Sequence, residues 1–406
     1  MNCALALCPR MTLRVLFVNP LGDLGGSERS LLDAMTSLRQ AGEDVEVTLL
    51  SFQEGELAAR ARALGVSAEI LPLPSALAEL GESSAEGSGP GSFARAALRA
   101  ARFAPAYGAE FRRRVQELGP SVLHTNGMKA HLLAGTCFRR LPLVAHLRDF
   151  PSERPFSRFA LPLLRRPRAL VVTNSRAVAE DVKRVSRGIR TRVVYNGIDV
   201  EEFRPGAREL EPLALLAGLP VPSPDTLVVG LVATYAWWKG HELFLDAAAR
   251  VRALARRPLR FYVVGGPIYG TSRSELGVAD LERMIAARGL ENEVGLVPFQ
   301  HEVAGVYRGL DVVVHASTRP EPFGRTIVEA MATGRAVAVA RAGGAAEVFD
   351  EGRSGLGYEP GNIEDLSRVL LELVTNAGLR ARLGEGARAE ALARFDRARV
   401  GVELLA

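Results

Sequence analysis

The chain's densest run of chemically capable residues is Asp311-Val-Val-Val-His-Ala-Ser-Thr-Arg-Pro-Glu-Pro-Phe-Gly-Arg-Thr-Ile-Val-Glu-Ala-Met-Ala-Thr-Gly334. An apolar strand runs into a proline-broken loop and then into a helix starting near Phe323–Arg325. A helix that opens at the carboxyl end of a parallel strand presents unpaired N–H groups and a positive dipole end, which suits a diphosphate. Gly324 lets that backbone come close to a ligand. Glu321 falls in the loop and Glu329 lies over a turn inside the helix, so the two carboxylates take separate roles. A carboxylate accepts hydrogen bonds from vicinal hydroxyls, which fits Glu329 to a ribose and Glu321 to the hydroxyls of a transferred sugar.

Other residues frame this pair. Gly25 and Gly26 form either a plain strand-to-helix turn or a place where a phosphate or an acceptor approaches the backbone. His124, Asn126 and Lys129 lie at the carboxyl end of a strand, where α/β sheets place ligand sites; His124 reads equally as a core histidine. Asp149, in His146-Leu-Arg-Asp149, is either a surface ion-pair partner or a site residue. Metal chemistry is not expected. His241-Glu and His301-Glu begin like HExxH helices, but Leu245 and Gly305 stand where the second histidine would be, and Cys3, Cys8 and Cys137 have no zinc-ligand spacing. Neither Pro20–Gly26 nor Gly265–Gly270 gives G-x-G-x-x-G, which argues against an NAD site.

These residues must be positioned by elements that alternate along the chain. Short β-branched runs at Val15–Asn19, Val45–Leu50, Val122–His124, Leu143–His146, Leu170–Thr173 and Arg192–Tyr195 are separated by segments of helical period. That alternation predicts parallel sheets with helices on both faces. After a proline-rich linker at Gly206–Asp225, a second series begins at Leu227–Val232 and continues at 259–264, 294–297, 311–315 and 335–340. Two α/β domains are expected: 12–205, preceded by an extension over 1–11, and 206–376, followed by a helical segment over 377–406 packing back on the first domain. Residues 81–92 have the composition of a flexible loop, and a basic helical stretch over about 93–118 follows.

The sequence resembles glycosyltransferase family 4, whose members have the two-domain GT-B fold and an E-x7-E motif matched by Glu321 and Glu329. Gly25-Gly-Ser-Glu-Arg29 resembles the family's N-terminal glycine loop, Val194-Tyr-Asn-Gly-Ile-Asp199 its interdomain signature, Trp237-Trp-Lys-Gly-His241 its W-K-G donor motif, and Gly343-Gly-Ala-Ala-Glu347 its late Gly-Gly-x-x-Glu. The resemblance implies two Rossmann-like domains and retaining transfer from a nucleotide-diphosphate sugar to an acceptor, with no cofactor and no metal. It places Lys239 on the diphosphate, Glu329 on the ribose, and Glu321, Phe323 and Gly324 around the sugar. Two positions depart from the pattern. Thr234 stands where an arginine often accompanies the lysine, for which Arg325 is the candidate substitute cation, and Asn126 stands where the family has a functional histidine. An epimerase or phosphorylase on the same fold, or a non-catalytic sugar-nucleotide binding protein, are the competing readings.

The length, 406 residues, suits two domains. No apolar run is long enough to span a bilayer, and cysteine usage suits a reducing cytoplasm. The net charge of +5 is modest, and no nucleic-acid partner is expected. Only three residues are lysine, Lys129, Lys183 and Lys239, so a lysine inside a motif stands out. Arg95, Arg99, Arg102 and Arg112–Arg114 with Phe93, Leu98, Phe103 and Phe111 read either as a solvated helix face or as a peripheral contact with an anionic membrane.

Overall fold

The computed structural model describes residues 12–78, 99–154, 157–267 and 276–406. It divides into two compact units. The first runs to Gly197 and takes back Arg397–Ala406, and the second is Ile198–Asp396.

The first unit is built on a seven-stranded, wholly parallel sheet. Its strands are β1 (Leu13–Asn19), β2 (Val45–Ser51), β3 (Ser67–Ile70), β4 (Val122–Asn126), β5 (Leu143–Leu147), β6 (Ala169–Thr173) and β7 (Thr191–Val193), in spatial order β3-β2-β1-β4-β5-β6-β7. Strand order reverses between β1 and β4, the place where such sheets bind ligands. Leu16, Val18, Leu123 and Ala145 feed one apolar cluster, and Phe17, Val15 and Leu49 feed another with the helix Gly26–Ala41. Central strands with cores on both faces need near-continuous apolar runs, as seen in β1.

The second unit repeats the plan with six parallel strands. These are β8 (Leu227–Val232), β9 (Leu259–Gly265), β10 (Val294–Pro298), β11 (Val312–His315), β12 (Ala336–Ala340) and β13 (Leu356–Tyr358), in order β10-β9-β8-β11-β12-β13. Every residue of β11 and β12 is buried. The reversal lies between β8 and β11, whose carboxyl ends lead to the lysine and the two glutamates respectively.

Several boundaries differ from expectation. The chain changes unit at Gly197/Ile198 rather than near 205, and the helix Ala377–Arg394 belongs to the second unit. Leu379 and Leu383 lie in that unit's core, and Arg388 donates to the carbonyls of Val200, Phe203 and Ala332. The segment that returns to the first unit is the shorter helix Ala398–Leu405. It packs on Gly26–Ala41 through Gly401, whose amide donates to Ser37 Oγ at 2.7 Å. The proline-rich linker contains a helix, Leu210–Leu216, inside the second unit. Among the described residues the basic stretch is helical at 99–101 and again from Ala104 to Leu118, with Pro105 in the first turn of the latter helix; the expected positions 93–98, like the extension 1–11 and loop residues 81–92, lie outside the described residues.

Candidate functional site

In the second unit, β8 ends at Val232 and the chain turns through Thr234–Lys239 into the helix His241–Leu254. Gly240 joins them at φ +71°, and a Cβ built there would meet Ala316 O at 1.9 Å. Only glycine allows this approach, which holds the lysine loop against the end of β11. One backbone bond ties the same surfaces, Thr318 N donating to Trp238 O at 2.8 Å, and within the loop Lys239 N donates to Ala236 O at 2.9 Å.

Lys239 Nζ consequently lies 2.6 Å from Glu321 Oε2. Ser317 Oγ donates to the same oxygen at 3.1 Å, and His315 Nε2 faces it at 3.5 Å. The glutamate's backbone is fixed by Gly344 N, which donates to Glu321 O at 2.7 Å. Burial pushes the Glu321 carboxyl upward, but the Lys239 ammonium and His315 outweigh it and hold the group well below the usual carboxylate range.

Glu329 has its own set of partners. It is buried in the helix Arg325–Ala332, which Gly324 opens at φ +93°. Tyr307 OH donates to Glu329 Oε2 at 2.9 Å, and Arg325 Nε to Oε1 at 2.7 Å. Arg325 is therefore engaged with Glu329 and is not simply a replacement cation for the arginine missing at Thr234, whose hydroxyl is buried without a hydrogen-bond partner among the described residues. Phe323 turns its ring into the core, 5.8 Å from that of Phe395, so packing fixes its side chain. Among the described residues no group of three or more His, Cys, Asp or Glu is arranged to hold a metal ion.

In the first unit the network centres on a residue the sequence reading passed over. Arg148, just beyond β5, donates from Nε to Asn126 Oδ1 at 3.0 Å and from Nη1 to Asn196 Oδ1. Asn126 Nδ2 in turn reaches Asn19 Oδ1 at 2.6 Å and Ser27 Oγ at 3.1 Å. Asn126 thus joins the ends of β1 and β4 to the glycine-led helix, where Gly26 has open space on its Cβ side. Burial raises the Glu28 carboxyl on this helix, with Arg148 acting against the rise. In a chain where arginine is everywhere, nothing in its immediate sequence separates Arg148 from the rest.

His124 is a core histidine in this structure. It stacks on Phe17 at 4.4 Å, and its Nε2 lies 3.2 Å from His146 Nδ1. Burial, with Arg148 and His131, lowers its pKa to about 3, which fits packing and positioning rather than proton transfer. Lys129 Nζ donates to Ala78 O. Asp149 is 60% exposed and pairs with Arg154 at 2.9 Å, an ordinary surface contact.

The glycosyl transferases group 1 model matches residues 221–390, and the glycosyltransferase family 4 model matches residues 24–202. Together the two matches take in most of the chain, and over both units it is similar to glycosyltransferase family 4. Its two parallel-sheet units are those of the GT-B fold. The structure of Anabaena Alr3699/HepE in complex with UDP and glucose is similar at TM-score 0.78 and 26% identity, over 98% of each chain. The same protein in complex with UDP-glucose matches at TM-score 0.78, over 97% of this chain and 98% of that one. D-inositol 3-phosphate glycosyltransferase of Stackebrandtia nassauensis is 34% identical over 250 residues, 58% of this chain and 52% of the relative. That of Mycobacterium bovis is 35% identical over 213 residues, 51% and 41% of the two chains. The chain spans about half the length of these curated relatives.

Proposed function

We propose that this chain transfers a hexose-type sugar from a nucleotide-diphosphate sugar to an acceptor hydroxyl, with retention at the anomeric carbon and without a metal. The observation that carries the reading is the grouping of Lys239 with Glu321 at the end of β11, with Glu329 on the helix that follows. Negative charge grows on the diphosphate as the glycosidic bond breaks, and a preorganised ammonium with backbone donors stabilises it at that moment. Lys239 takes that role, Gly324 admits the phosphate to the helix N-terminus, Glu329 holds the ribose and Glu321 the sugar hydroxyls. The donor phosphate helps remove the acceptor proton, so no protein nucleophile is required.

The neighbour complexed with UDP-glucose puts that donor first, and the curated relatives' name puts a phosphorylated inositol first among acceptors to assay. The acceptor side is assigned to the first unit, with Lys129 and Asp149 as its expected residues and Gly25 and Gly26 as the place where a phosphate or the acceptor would approach the backbone. A cytoplasmic location is part of the proposal; among the described residues no helix is long and apolar enough to cross a membrane. Peripheral membrane contact has less support, because Phe111 is buried and Arg113 and Arg114 are paired with glutamates. A thermal-shift panel of UDP-, GDP- and ADP-sugars tests the donor, since a ligand that binds only the folded state raises Tm. A product assay with the best donor then separates transfer from epimerisation, phosphorolysis or binding alone. Activity that EDTA abolishes and Mg2+ restores would overturn the metal-independent part.

A further inference from the structure

Glu321 uses its two oxygens unequally. Lys239 Nζ, Ser317 Oγ and His315 Nε2 all converge on Oε2, at 2.6, 3.1 and 3.5 Å, while Oε1 has no hydrogen-bond partner among the described residues. The second carboxylate of the motif, Glu329, is also neutralised from within, by Arg325 at 2.7 Å. Both the lysine and the glutamate of the first pair are about four-fifths buried, where an ion pair is screened less than at the surface.

We propose that Glu321 is the internal counter-ion of Lys239, occupying the ammonium when no diphosphate is bound, so that the site favours a nucleotide sugar over the nucleoside diphosphate it leaves behind. The inference rests on the donor-site reading above. A diphosphate that takes Lys239 must pull it from Oε2 and leave a part-buried carboxylate with only Ser317 and His315 beside it. Removing one member of a buried pair costs more than the pair itself supplies. With a nucleotide sugar, hydroxyls of the sugar donate to Glu321 and offset that cost. With the nucleoside diphosphate alone nothing does, and the carboxylate recaptures the lysine. The same residue that orients the sugar therefore weakens the hold on the product once the sugar has gone. Discrimination is a difference between two affinities, and here it comes from penalising the wrong occupant.

The test is calorimetric titration of UDP, with GDP and ADP in parallel, into the wild type, Glu321→Gln, Lys239→Met and the double variant. Glu321→Gln keeps the shape and removes the charge. It is expected to bind the preferred diphosphate on the order of tenfold tighter than the wild type, a factor typical of losing one close charge pair, while sugar transfer falls. In the Lys239→Met background the same change is expected to give no tightening, because there is no ammonium left to release. Unchanged or weaker binding by Glu321→Gln overturns the proposal. So does tightening of equal size in both backgrounds, which would make the carboxylate a direct repeller of phosphate. Should Glu321→Gln fail to fold, Glu321→Asp draws the charge back from Lys239 by one methylene and must also tighten binding. A wild type that binds none of the three diphosphates overturns the donor reading itself, and the counter-ion role with it.

Discussion

Among the described residues the Glu329 carboxylate accepts from Tyr307 and Arg325, whereas Glu321 shares an oxygen with the ammonium assigned to the reacting diphosphate. A group bound to the unreacting ribose contributes equally to ground state and transition state, so Glu329→Ala is expected to raise the donor KM with kcat little changed. Glu321→Ala should mainly lower kcat. Tyr307→Phe, which removes one hydrogen bond from Glu329, should shift KM in the same direction by a smaller factor. Steady-state kinetics on the three folded variants decides this, and equal effects on kcat from both glutamates would refute the division of roles. Lys239→Ala is expected to cost roughly 100-fold or more in activity, the scale for loss of one preorganised charge-stabilising group. The glutamates and the lysine are legible in sequence because each sits in a short local motif. Tyr307 and Arg148 are not, because their partners come from distant parts of the chain: Asn196 is 48 residues from Arg148, and Glu329 is 22 from Tyr307.

Among the elements, the central strands are readable because cores on both faces demand continuous apolar runs. The edges are less so. β3, Ser67-Ala-Glu-Ile70, and β13, Leu356-Gly-Tyr358, pair on one side only and are short, which leaves too few residues for a periodic signal. The C-terminal helices mislead for another reason: the long helix Ala377–Arg394 and the short one Ala398–Leu405 are both helical in composition, and only packing assigns them to different units. The turn at Gly240 carries the element-scale prediction. Gly240→Ala places a side chain at φ +71° and a carbon on Ala316 O, a conformational cost of roughly 1–2 kcal/mol before the overlap is counted. Relief requires the Thr234–Lys239 loop to move off β11, taking Lys239 from Glu321. Loss of Tm by roughly 3 °C or more together with loss of donor binding is expected; wild-type donor affinity would show that the approach does not set the lysine's position.

At the scale of the molecule, each unit has its own core, and the buried histidines are divided unevenly between them. His124, His131 and His146 are buried in the first unit, and His241 and His315 in the second. Burial lowers the pKa of His124 and His131 to about 3, of His241 to about 4, and of His146 well below its ordinary value. An unfolded histidine takes up its proton near pH 6.5. Between that pH and the folded values the unfolded chain binds more protons than the folded one, so stability falls as pH drops below about 6.5. The first unit has three such groups against one, and should lose more. Both tryptophans, Trp237 and Trp238, lie in the second unit, so tryptophan fluorescence follows that unit while far-UV circular dichroism follows both. Urea unfolding at pH 7.5 and pH 5.0 is therefore expected to show a larger fall in midpoint by dichroism than by fluorescence. His131→Gln, which preserves a polar group near Thr125 Oγ1, the hydroxyl 2.7 Å from His131 Nδ1, should reduce the difference. Coincident shifts by the two probes, in the wild type and the variant alike, would mean either that the units unfold as one or that the first unit's histidines are protonated without unfolding it; a dichroism midpoint that rises on acidification would contradict the burial argument outright.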